Sequence, residues 1–131
     1  MTNNKAYLII EDGIILEGIS FGADGTSLGE LVFNTSMVGY TEILTDPSYA
    51  HQIITMTYSE IGNYGVNFND VESQKIYAKG LIVKNLCEHE SHYNSQKNLK
   101  NFLIDNNIIG ISNIDTRFIT KKLANEGSKM C

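Results

Sequence analysis

With 131 residues, 42% of them hydrophobic, the chain has the size of one domain and enough apolar content for a single core. Fifteen Asp and Glu against ten scattered Lys and Arg leave a net charge of -5, and the aromatic residues are Tyr and Phe only. That balance carries neither the basic footprint of a phosphate-backbone binder nor a stacking platform for single strands, so no nucleic-acid partner is expected.

The first apolar run, Ala6 to Ile10, stops at Glu11-Asp12. It is too short for a signal peptide or a membrane span, and no membrane partner is expected. Two cysteines, Cys87 and Cys131, allow at most one bridge, and nothing points to export, so a reduced, cytoplasmic setting is the expectation.

Ala6 to Ile10 and Ile14 to Leu16 flank Glu11-Asp12-Gly13 and predict a hairpin around an Asp12-Gly13 turn, with both turn positions at positive φ. Gly18, Gly22, Gly25 and Gly29 punctuate the stretch up to the next apolar run, Leu31-Val32-Phe33, which predicts a short strand. The only proline, Pro47, sits in a polar turn and pushes Asp46 away from helix, while Asp46 and Ser48 can each hydrogen-bond nearby backbone. In Ile53 to Tyr58, alternation places Ile54, Met56 and Tyr58 on one face and Ile53, Thr55 and Thr57 on the other, predicting a strand buried mainly on one side. Gly80 to Val83 is a further strand candidate.

After residue 94 the period changes. Leu99, Phe102 and Leu103 predict an amphipathic helix behind a Ser95 cap, ending near Asn106-Asn107. Asp115 can cap a second helix carrying Phe118, Ile119 and Leu123, with Lys121-Lys122 toward its carboxyl end and Gly127 after it. Strands in the first two thirds and two helices near the carboxyl end predict an α+β, β-rich fold. The stop four residues past Gly127 reads as a cut at a domain edge.

Chemistry-bearing residues are sparse. Cys87, His89 and His92 form the only cluster of soft ligands, but without a second cysteine pair or structural-zinc spacing the expectation is a polar loop and no metal. The same residues lack the elbow and oxyanion donors that a cysteine nucleophile needs, and no catalytic residue is assigned. Gly22, Gly25 and Gly29 fit no phosphate-loop pattern, so the chain is expected to bind no cofactor itself. Asp12, Asp46, Asp70 and Asp115 each neighbour turn or cap residues and read as structural carboxylates, and His51 reads as a surface or supporting group. Asn34-Thr35-Ser36 matches a glycosylation acceptor by chance in a chain without secretion. Together with Ser48, that run is either a rim for a neutral polar group or another subunit, or plain turn chemistry.

The run from Gly29 to Tyr49, Tyr58 to Gly65, and Gly110 to Arg117, together with Glu11-Asp12-Gly13, Phe21-Gly22 and Glu126-Gly127, resembles the amino-terminal domain of the carbamoyl-phosphate synthase small subunit. The likeness spans essentially residues 1–131. It departs at Ser59, where the family commonly has proline, and at Ser91 to Asn94, where it commonly has Ser-Asn-Trp-Arg.

The resemblance implies a swivelling β/β/α type of domain. It implies an enzyme that hydrolyses glutamine and passes ammonia to a large subunit, where bicarbonate and ATP become carbamoyl phosphate for pyrimidine and arginine synthesis. The implied partners are that large subunit, a carboxyl-terminal glutaminase domain not contained in these residues, and glutamine. ATP and divalent metal belong to the large subunit. One substrate contact carries over, Ser48 at the edge of the glutamine site, and the isolated segment is expected to be inactive. The competing expectation is a free-standing binding or assembly module of the same fold; a Gly-x-Cys-x-Gly elbow encoded downstream would separate the two.

Overall fold

In a computed structural model, which describes residues 4–35, 43–57, 60–61, 76–86 and 100–131, the chain opens with the predicted hairpin. Strands β1 (Lys5–Ile9) and β2 (Ile15–Ser20) pair antiparallel with Ile9 opposite Ile15. The turn differs from expectation in one respect: Gly13 takes a positive φ of 96° and Asp12 does not. The reason is loop length. The Ile10 N–H donates to the Ile14 carbonyl at 2.9 Å, which leaves a three-residue loop, and such loops need only their last residue left-handed.

β3 (Glu30–Asn34), β4 (Gln52–Met56), β6 (Gly80–Ile82) and β8 (Ile109–Ser112) are mutually parallel neighbours in the order β8-β6-β4-β3. The hairpin joins one side through antiparallel β2 and β8, and β9 (Lys129–Met130) lies on the other side antiparallel to β3, giving a mixed sheet of seven strands among the described residues. A separate two-stranded pair joins β5 (Glu60–Ile61) to β7 (Asn85–Leu86). The predicted α+β, β-rich class holds, and β8 and β9 are strands that propensity did not mark.

The two faces of the sheet carry two cores. Ile54, Met56 and Leu81 pack with Phe102 and Leu103 of helix α1, residues 100–105. Leu31, Ile53, Ile82 and Ile111 pack with Ile119 and Leu123 of helix α2, Thr116–Glu126. This corrects the one-sided reading of β4: Ile53, Ile54, Thr55 and Met56 are all buried, because an inner parallel strand is covered on both faces. Tyr58 lies outside the described residues. Thr55 Oγ1 is buried with no hydrogen-bond partner among the described residues. Thr55→Val, which keeps the shape and removes the unsatisfied hydroxyl, is therefore expected to stabilise the protein by about 1 kcal/mol. Urea titration checks this, as a higher midpoint at unchanged slope.

Both helices end as their sequences direct. After α1, Asn107 adopts φ 57°, the Ile108 N–H reaches the Leu103 carbonyl at 2.8 Å, and the Asn107 N–H reaches that of Ile104 at 3.0 Å, the paired bonds of a Schellman motif. Ser95 and Leu99, predicted at the start of this helix, lie outside the described residues. In α2, Asp115 accepts from the Phe118 N–H at 3.2 Å, and Gly127 follows at φ 83°. The apolar stripe of α2 needs correction. Ile119 and Leu123 are buried, but Phe118 is exposed and Lys122 takes the inward position.

Lys122 can be buried because its ammonium pairs with the Asp12 carboxylate, with Glu126 further out at 3.3 Å. The Lys122 bond holds the Asp12 carboxyl below its ordinary 3.8, and the Asp12 bond raises the ammonium above its ordinary 10.5. The depressed acid stabilises the fold above its ordinary value and loses that contribution as pH falls through its lowered one. The raised base stabilises below its ordinary value and loses its contribution as pH rises through the raised one. Lys122→Met should therefore show a melting-temperature deficit that is flat between about pH 5 and 9 and closes in acid once Asp12 protonates. A deficit independent of pH down to strong acid would rule the ion pair out as its source.

Candidate functional site

Asp46, with φ −78° and ψ 121°, is extended, as its place before proline requires, and it caps a short 3-10 turn over Pro47–Tyr49. Asp46 Oδ1 accepts the Ser48 N–H at 2.9 Å. That donor and the Ser48 hydroxyl together hold the Asp46 carboxyl below its ordinary range. Within the turn, the Tyr49 N–H donates to the Asp46 carbonyl and the Ala50 N–H to that of Pro47, each at 3.1 Å. Ser48 itself is exposed, and no residue of the turn is buried.

The far end of the turn is anchored by contacts that local sequence does not reveal. The Tyr49 ring packs against the cluster containing Leu44, Ile54 and Met56, and its hydroxyl accepts from Asn34 Nδ2 at 2.8 Å. The Asn34 carbonyl in turn accepts from the Thr57 N–H at 3.2 Å and from its hydroxyl at 3.1 Å. The structure therefore brings Asn34 of the polar run to the Ser48 turn, and gives Asn34 a structural task. Thr35 is exposed, and Ser36 lies outside the described residues. The signal for Tyr49 was available only as an aromatic residue beside a turn, which by itself has many explanations.

Beyond the turn, Asp24, His51, Lys79 and Asn107 line an open cleft of about 700 Å³ at the starts of β4, β6 and β8. Its walls are held by loop geometry. His51 sits at φ 68° with its carbonyl accepting from the Glu30 N–H at 3.0 Å, and the Ser27 hydroxyl donates to the Lys79 carbonyl at 2.8 Å. His51 is exposed, as expected of a surface group.

Asp12, Asp46 and Asp115 serve the hairpin, the turn and the helix cap, in keeping with the structural reading, and Asp70 lies outside the described residues. Cys131 is half-buried, and desolvation pushes its thiol up to about 11, so little thiolate exists at neutral pH. Cys87, His89 and His92 lie outside the described residues. Among the described residues, no group of His, Cys, Asp and Glu could hold a metal ion, and no helix is long and apolar enough to cross a membrane.

Comparison with known proteins places these features in a lineage. A carbamoyl phosphate synthase small chain of Buchnera aphidicola from Schizaphis graminum is 52% identical over 124 residues, covering 95% of this chain and 32% of that protein. A chain of the same name from Vibrio cholerae is 50% identical over 127 residues, covering 97% of this chain and 34% of its own length. One from Aquifex aeolicus is 52% identical over 123 residues, with 94% and 33% covered. The chain thus spans about a third of the length of these relatives. With residues 8–131 also matching the family described as carbamoyl-phosphate synthase small chain, CPSase domain, the chain belongs to that family.

Proposed function

We propose that residues 1–131 form the amino-terminal domain of the small subunit of a glutamine-dependent carbamoyl-phosphate synthase. In this reading the complete small subunit hydrolyses glutamine through a carboxyl-terminal glutaminase domain and delivers ammonia to a large subunit. There, ATP and divalent metal support carbamoyl phosphate synthesis from bicarbonate for pyrimidine and arginine biosynthesis in the cytoplasm. The present segment supplies packing surface for that domain and that subunit, and one edge of the glutamine site. Among the described residues the one cysteine, Cys131, is half-buried with its thiol pushed up to about 11, which supports a nucleophile supplied from outside this segment.

The observation that carries the site assignment is the Asp46-Pro47-Ser48 turn. It leaves the Ser48 hydroxyl at the surface while the residues on either side of it are tied down. A preformed, exposed hydroxyl suits a neutral hydrogen bond to a small polar substrate brought by a neighbouring domain. In the full-length enzyme, Ser48→Ala is expected to raise KM for glutamine a few-fold to tenfold, equivalent to about 0.5–1.5 kcal/mol. Ammonia-dependent synthesis, which bypasses glutamine, is the control. A lowered melting temperature at unchanged glutamine KM would instead assign Ser48 to turn stability alone.

A further inference from the structure

Ser48 occupies the middle of a three-residue 3-10 turn, a geometry with weak internal hydrogen bonds, and its own side chain is exposed. Its place in space is therefore set by its flanks. On one side Asp46 Oδ1 holds the Ser48 N–H at 2.9 Å. On the other, Tyr49 is fixed by ring packing against the core and by the 2.8 Å bond from Asn34 at the end of β3. We propose that Asp46 and Tyr49 are positioning residues for glutamine binding, clamping the turn from both sides so that the Ser48 hydroxyl is presented in one place.

This inference rests on the reading of Ser48 as a glutamine contact and adds the residues that make it preformed. Neither Asp46 nor Tyr49 need touch the substrate. Each removes conformations of the turn that would otherwise have to be lost on binding, and preorganisation of this kind appears as affinity. Because Asp46 acts as an acceptor, for the Ser48 N–H and for the Ser48 hydroxyl beside it, an amide oxygen at the same position can replace it.

The test uses the full-length small subunit assembled with its large subunit, with glutamine as the probe and ammonia-dependent synthesis as the control. Asp46→Ala is expected to raise glutamine KM roughly three- to tenfold with little change in kcat, and Asp46→Asn to restore KM to within about twofold of wild type. Tyr49→Phe, which keeps the packed ring and deletes the hydroxyl, is expected to raise KM about two- to threefold. A wild-type KM in Asp46→Ala or Tyr49→Phe, beside a raised KM in Ser48→Ala, would overturn the positioning role while leaving Ser48 as a contact. An Asp46→Asn variant as impaired as Asp46→Ala would overturn it too, since charge rather than acceptor geometry would then matter. Should Ser48→Ala itself leave KM unchanged, the assignment of Ser48 fails first and this inference with it.

Discussion

Gly22→Ala is expected to cost about 3 kcal/mol and to lower the melting temperature by roughly 10 °C. A Cβ at Gly22 would lie 2.6 Å from both the Gly110 nitrogen and the Ile108 carbonyl oxygen. These are backbone atoms, so no rotamer change can relieve the clash. They are also fixed in place, because the Phe21 N–H donates to Gly110 O at 3.0 Å and the Ala23 N–H to Ile108 O at 2.8 Å on either side of the glycine. The segment after β2 must separate from the segment entering β8, and both bonds weaken together. A useful contrast is Gly25→Ala, where an added Cβ meets nothing within 4 Å and only the φ of 127° resists the substitution. Gly22 itself has no positive φ, so a loss there no larger than at Gly25 would show that the close approach of the two backbones costs little.

Leu103→Ala is expected to cost about 3 kcal/mol, within the 2–5 kcal/mol range typical of buried leucines. Leu103 is fully buried in the cluster that joins α1 to the sheet, beside Phe21, Leu81 and Phe102. The site has little freedom to collapse, because the Leu103 carbonyl also closes the end of α1 by accepting from Ile108. Its Cδ1 lies 3.0 Å from where a Cβ on Gly110 would stand, so truncation opens space over β8. In urea the midpoint should fall at unchanged slope. Leu28→Ala, at a residue 73% exposed, should change stability by less than about 0.5 kcal/mol. A loss at Leu103 no larger than at Leu28 would mean that the α1 face of the sheet is not a cooperative part of the fold.

The features that could be read directly from the chain were local in origin. The hairpin around Gly13, the Asp115 cap, the burial of Phe102 and Leu103, and the helix end at Asn106-Asn107 all arise from residues within a few positions of one another. The same holds for the Asp46-Pro47-Ser48 turn. Proline geometry and a carboxylate two residues before an N–H suffice to form it, whereas Ser48 as a substrate contact is implied by the family resemblance alone.

Tertiary structure decided the rest, for reasons that no local pattern encodes. From Ile54 onward β4 alternates apolar and polar residues as a one-sided strand would, yet it lies between parallel β3 and β6 and is buried on both faces. β9 is two residues long and exists because β3 offers it an edge. Lys122 points inward, where an apolar stripe would exclude it, because Asp12 from the distant hairpin loop meets its charge, and Phe118 is left outside. Likewise the sequence supplies the turn that bears Ser48, but only the folded sheet brings Asn34 to Tyr49 and anchors the turn's far end. Turns and caps depend on dihedral preferences and bonds between near neighbours, so sequence determines them. Burial of a strand's second face, the partner of a buried charge and the anchoring of an exposed turn depend on which distant segments meet, and that is settled only when the sheet assembles.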